Sequence, residues 1–127
     1  MLLNEKGYEV NRHTGGGVKD GLRVLTDAPK LMRVIDNLFS NIYKYADKSK
    51  RITIAVGVAR GKLNIAIKNY VDNDASKTES NGVGLKTCKK ICESLGAGFE
   101  YKNAGVKNTR MFTAIIELTI AKKEQDG

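Results

Sequence analysis

The chain has no tryptophan, one proline, one histidine and two cysteines in its 127 residues. Without tryptophan, and with an aromatic fraction of 6%, it offers little for a platform on which single-stranded bases would stack. Cys88 and Cys92 lie four apart, with neither a Cys-x-x-Cys spacing nor a histidine partner. That pattern describes reduced, half-buried thiols of a cytosolic protein better than a disulfide or a zinc site. No apolar run approaches the length of a membrane span, and no signal-peptide pattern opens the chain. This says nothing of a longer parent protein. Internal repeats and low-complexity tracts are also missing. No glycine loop ends in Gly-Lys-Ser/Thr, which excludes a Walker A phosphate loop, and there is no dinucleotide fingerprint.

What is present suits one globular domain over residues 1–127, with 41% hydrophobic and 28% charged residues. The net charge of +8 raises nucleic acid as a partner. The lysines and arginines are scattered, however, with no basic block interleaved with aromatics. A positive surface equally suits a polyanionic nucleotide or an acidic protein. We therefore expect no nucleic-acid partner.

Hydrophobic spacing divides the chain into elements. Leu3 to Arg12 alternates loosely as an edge strand, His13 to Gly17 reads as a turn, and Leu22 to Leu25 as a short returning strand. Thr26-Asp27-Ala28-Pro29 is a helix start, a capping side chain followed by proline in the first turn. From Lys30 to Ala46 the apolar residues Leu31, Val34, Ile35, Leu38, Phe39 and Ile42 recur at helical spacing. Ile52 to Ala59 and Leu63 to Lys68 form a hairpin about Arg60-Gly61. Tyr70 to Asn81 is a polar loop, and a second helix runs from Val83 to Leu95, ended by Gly96 and Gly98. Two more strands follow, Phe99 to Lys102 and Met111 to Ile120, before a charged tail from Ala121 to Gly127. The order predicts an α+β fold, a two-layer sandwich in which helices cover one face of a mixed, mostly antiparallel sheet.

Two constellations carry chemistry. At 100° per residue, Asn37, Asn41, Lys44 and Tyr45 share one side of the first helix, beside its apolar stripe. Asparagine is a mediocre helix former, so a pair at i and i+4 invites a reason. An asparagine carbonyl can join phosphate oxygens and waters around Mg²⁺, and Lys44 one turn on can meet a phosphate. Spacing alone leaves a plain polar stripe equally open. The second constellation is Asn81-Gly82-Val83-Gly84-Leu85, where glycines at a helix start let backbone N–H groups approach an anion. By itself this is as readily an ordinary loop-to-helix junction.

Taken together, Asn-x-x-x-Asn-x-x-Lys-Tyr on a helix, two strands, a polar loop and Gly-x-Gly-Leu opening a second helix resemble the Bergerat ATP-binding fold. Within that superfamily the pattern is most similar to the catalytic domain of bacterial sensor histidine kinases. The likeness runs from about Leu22 to Leu118; Asp27 to Val34 resembles the lead-in to the family's asparagine box, and Leu95 to Glu100 the small-residue turn after its second glycine box. The resemblance implies ATP and Mg²⁺ as ligands. It makes Asn41 the Mg²⁺ ligand, Asn37 a nearby phosphate or metal-water contact and Lys44 a phosphate contact. Tyr45 would pack on the adenine, and Gly82, Val83, Gly84 and Leu85 would form the glycine box around the phosphates. Hydrolases and serine kinases of the superfamily carry a glutamate as general base four residues before the magnesium asparagine. Here that position is Asn37, which favours the histidine kinases, whose base lies beside the receiving histidine on another domain.

The pattern also departs from the family. The first glycine box, Asp-x-Gly-x-Gly, is replaced by Asn69-Tyr70-Val71-Asp72-Asn73. Asn69 can still accept a hydrogen bond from the adenine amino group, with less electrostatic gain than a carboxylate. The loop from Asn69 to Gly82 is short and holds no phenylalanine, so the lid over the phosphates should close poorly and nucleotide should bind weakly. His13 lies in a glycine-rich turn rather than on a long helix and is read as solvated. The expected function is a histidine kinase catalytic fragment that holds Mg-ATP. It would not be autonomously active, and would serve a dimerisation and phosphoacceptor domain and, indirectly, a response regulator. It would be cytoplasmic, without membrane contact of its own, in a membrane-bound sensor. The alternative is a degenerate, non-catalytic module that docks on a partner protein.

Overall fold

The computed structural model describes residues 9–18, 21–72, 83–105 and 109–121. Its elements are β1 (Val10–Thr14), α1 (Ala28–Tyr45), β2 (Ile52–Ala59), β3 (Lys62–Tyr70), α2 (Val83–Leu95), β4 (Gly98–Ala104) and β5 (Met111–Thr119). The five strands form one sheet in the order β1-β2-β3-β5-β4. β1 runs parallel to β2 and every other pair is antiparallel. This is the expected α+β sandwich.

Strand alternation sorts the sheet into two faces. Ile54, Ile67 and Ala114 are paired across β2, β3 and β5, and Leu63 pairs with Leu118 on the same face. With Ile52, Ile116 and Phe99 they form the core beneath the helices. α1 contributes Val34, Leu38 and Ile42, and α2 contributes Cys88 and Cys92, all buried. Each fully buried aliphatic side chain in this layer stabilises the fold by about 1.5–3 kcal/mol.

Local chemistry sets the boundaries. Asp27 caps α1 by accepting from Lys30 N at 3.2 Å, with Pro29 in the first turn. The β2–β3 hairpin turns through Arg60 and Gly61, both at positive φ (55° and 73°), as the right-handed strand twist requires of a two-residue turn. α2 ends at Gly96 with φ 68°. There Ala97 N donates to Cys92 O at 2.9 Å and Gly96 N to Glu93 O at 3.1 Å, a Schellman closure.

Two expectations shift. β1 begins at Val10 and includes His13 and Thr14, because pairing with β2 continues to Gly15 N, which donates to Val56 O at 2.7 Å; residues 3–8 lie outside the described residues. The strand expected at Leu22 to Leu25 reduces to one bridge, Val24 to Ile120, since the chain turns into the Asp27 cap immediately afterwards. Among the described residues no helix is long and apolar enough to cross a membrane.

Removing the cap with Asp27→Ala is expected to lower stability by about 1 kcal/mol in urea unfolding, with Asp27→Ser retaining most of it. Equal losses in both variants would show that the carboxylate acts otherwise than as a cap.

Candidate functional site

α1 and α2 lie side by side in antiparallel sense, and matched residues mark the contact. Cys88 Sγ donates to Val34 O at 3.7 Å, and the Asn37 side chain hydrogen-bonds the same thiol. One turn along α1 and one turn back along α2, Asn41 Oδ1 lies 3.9 Å from where a Cβ at Gly84 would stand. The i to i+4 step that puts Asn37 and Asn41 on one side of α1 therefore runs against the step from Cys88 back to Gly84. Burial pushes the Cys88 thiol up to about 11, against a hydrogen bond from Asn37 that pulls it down. Burial raises Cys92 as well. Both thiols are free and stay neutral at ordinary pH.

The second wall comes from the exit of β3. Asp47 N donates to Tyr70 O at 2.8 Å, Asp72 N donates to Tyr45 O at 2.7 Å, and Ala46 bridges Val71. The last turn of α1 is thus stitched to the end of the sheet. Asn69 is 4% exposed, on the helix-covered face through its pairing with Phe112. Its Nδ2 donates to Tyr70 O at 3.2 Å.

Of the predicted residues, the structure brings Asn41 and Gly84 together, turns Asn37 onto Cys88, and buries Asn69 at the strand end. Tyr45 is half-buried in the last turn of α1 and Lys44 is exposed beside it. Leu85 packs against the core, Val83 is the first residue of α2, and Gly82 lies outside the described residues, as does the loop over 73–82. Two open grooves, about 500 and 370 Å³, run along β4 and share Lys89, Phe99, Glu100 and Ile115; no predicted site residue lines either. Two features carried no signal in the sequence: the Asn37–Cys88 contact, and Arg110 beyond Val71, whose buried Nε has no hydrogen-bond partner.

A sequence profile described as histidine kinase-, DNA gyrase B-, and HSP90-like ATPase matches residues 26–120. The chain belongs to this family of ATPases. No curated protein sequence matches it, but solved structures share its fold. The histidine kinase AdeS of Acinetobacter baumannii superposes with a TM-score of 0.67 at 15% identity, over 94% of this chain and 58% of that one. The chain thus spans little more than half of AdeS. The mycobacterial sensor histidine kinase MprB gives 0.64 at 12% identity, over 94% and 88% of the two chains. The catalytic domain of histidine kinase ThkA gives 0.62 at 20%, over 94% and 85%.

The family implies ATP, and the residues present fit a nucleotide. Gly84 leaves room beside the Asn41 carbonyl oxygen at the N-terminus of α2, where first-turn N–H groups lack intrahelical acceptors. No acidic side chain occupies that first turn, so the positive end of the helix is not neutralised. Asn69 keeps a carboxamide oxygen beyond the bond its Nδ2 makes.

Cys88→Ala removes the link to Val34 O and Asn37 and leaves a small void, so a loss of about 1–2 kcal/mol is expected. The sign with pH follows from the raised thiol. Below about 9 the proton is held in both folded and unfolded chains; between about 9 and 11 only the unfolded thiol ionises. The wild type should therefore lose stability across that window more steeply than Cys88→Ala. Parallel pH profiles in urea unfolding would show that the thiol is solvated.

Proposed function

We propose that the chain is the ATP-binding catalytic domain of a two-component sensor histidine kinase, presenting the γ-phosphate of Mg-ATP to a histidine on a dimerisation domain of the parent protein. The observation that carries this reading is Asn41 Oδ1 facing the glycine opening of α2. In this reading Asn41 ligates Mg²⁺, and the backbone at Val83 and Gly84 holds phosphate oxygens at the helix N-terminus. Lys44, exposed in the last turn of α1, meets a phosphate. Tyr45 packs on the base, Leu85 seats α2 on the core, and Asn69 accepts from the adenine amino group through Oδ1, its Nδ2 being held by Tyr70 O. Asn37, placed for a metal-bound water or phosphate by the family pattern, is tied to Cys88 and serves this cleft by holding α2 in register with Asn41. Bound Mg²⁺ would neutralise phosphate charge during phosphoryl transfer. The chain's own residues position and shield the nucleotide, and the receiving histidine and its base belong to the partner domain. In this reading the domain lies in the cytoplasm as part of a membrane-bound sensor, which passes its phosphoryl group to a response regulator.

One observation favours a second reading, a non-catalytic docking module. Val71 stands where the family pattern has its first glycine, and Val71 and the following Asp72 are hydrogen-bonded to Arg110 and Tyr45, which narrows the backbone path beside the base.

Thermal denaturation with Mg-ADP separates the two. A ligand at a hundredfold excess over its Kd stabilises the folded state by about 2.7 kcal/mol, which raises Tm by about 10 °C. That shift is expected in the wild type and should shrink in Asn41→Ala. No shift at millimolar nucleotide would remove the kinase reading and leave the docking module.

A further inference from the structure

Arg110 stands immediately before β5, and its carbonyl accepts from Val71 N at 2.9 Å. The antiparallel register that pairs Asn69 with Phe112 and Tyr70 with Met111 therefore continues one step, to Val71 and Arg110. By alternation Arg110 shares the helix-covered face with Phe112, which makes it the diagonal neighbour of the buried Asn69, ~7 Å away across the strands. Its Nε is fully buried and has no hydrogen-bond partner. A buried donor without an acceptor is rare in a folded protein and calls for an explanation at that place.

We propose that Arg110 is a further nucleotide-contacting residue: its side chain is half-buried, and on binding it turns so that Nε–H donates to an acceptor on the purine base. This rests on the reading of the cleft given above. The placement argues for the base rather than the phosphates. The phosphate end is marked by Asn41 and the N-terminus of α2, whereas Arg110 lies on the other side of Val71 from α1, whose Ala46 bridges that residue. A purine edge carries donors and acceptors side by side. Asn69 keeps an acceptor oxygen, because its Nδ2 is engaged by Tyr70 O, and Arg110 supplies the adjacent donor. The pair reads two neighbouring atoms of the base where the family pattern relies on one carboxylate.

The role separates from a structural one by its effect on the free protein. A guanidinium that held the fold together would leave Arg110→Met less stable. An unsatisfied donor awaiting a ligand leaves the variant with an unchanged or higher Tm in the absence of nucleotide. Calorimetric titration with Mg-ADP is expected to show binding weakened on the order of tenfold in Arg110→Met, with Arg110→Lys intermediate. The Arg110 Nε–H resonance of the wild type should move on Mg-ADP addition. Equal affinity in Arg110→Met, a lowered Tm of the nucleotide-free variant, or a resonance that moves as far with Mg-pyrophosphate would each overturn the inference. A wild type that binds no Mg-ADP would instead overturn the cleft reading on which it rests.

Discussion

The antiparallel contact between α1 and α2 is the constraint on which the rest of the cleft depends. Cys88 and Cys92 are small enough to let the helices approach closely, and both are essentially inaccessible to solvent. A larger side chain at Cys88 would displace α2 outward and carry Gly84 away from Asn41. The thiol also donates to Val34 O and meets the Asn37 carboxamide, so the longitudinal register of the two helices is set as well as their separation. Because both helices repeat at 3.6 residues per turn, fixing Cys88 against Asn37 places Gly84 against Asn41. The mouth of the candidate site is thus a consequence of packing one turn deeper.

The other wall is held by backbone rather than side chains. Where β3 leaves the sheet, Tyr70, Val71 and Asp72 exchange hydrogen bonds with Asp47, Tyr45 and Arg110. Backbone bonds of this kind tolerate sequence change better than a packed side chain does, yet they demand that the segment be extended. Asp-x-Gly-x-Gly permits sharp backbone excursions; Asn69-Tyr70-Val71-Asp72 favours pairing, Val71 and Tyr70 being good strand residues. The departure from the family pattern and the observed pairing are one fact seen at two levels.

Much of this was legible in the sequence, and the limits are physical. The α1 stripe, its Asp27 cap, the Arg60-Gly61 hairpin and the glycine end of α2 were readable because each depends on neighbours within a few residues. Helical spacing also put Asn37 and Asn41 on one side. It did not say which helix would face them, so the pairing of Asn37 with Cys88 required the tertiary contact. Leu22 to Leu25 resembled a strand in composition, but how far it pairs is decided by β5 and by the cap that follows. Arg110 carried no signal, since an arginine before a strand is ordinary until its Nε is found enclosed. Gly82 and the loop over 73–82 lie outside the described residues.

On the proposed reading this domain supplies no general base, and the Asn37–Cys88 contact bears on why. In the hydrolase branch of the superfamily a glutamate occupies the Asn37 position. Here a carboxylate at that point would lie against a neutral thiol that burial holds protonated up to about 11. Among the described residues, the partners found for Cys88 include no histidine, lysine or arginine. An ionised side chain at this half-buried position would give up part of its hydration beside a neutral thiol, at a desolvation cost. A neutral amide, by contrast, donates to the thiol and costs little to bury. A carboxylate at position 37 would lose the donor that Asn37 offers the thiol, and so loosen the α1–α2 contact that aligns Asn41 with Gly84. On the proposed reading the two needs are separated: this domain keeps a neutral, closely packed helix pair to position the nucleotide, and the proton is taken up where the receiving histidine lies.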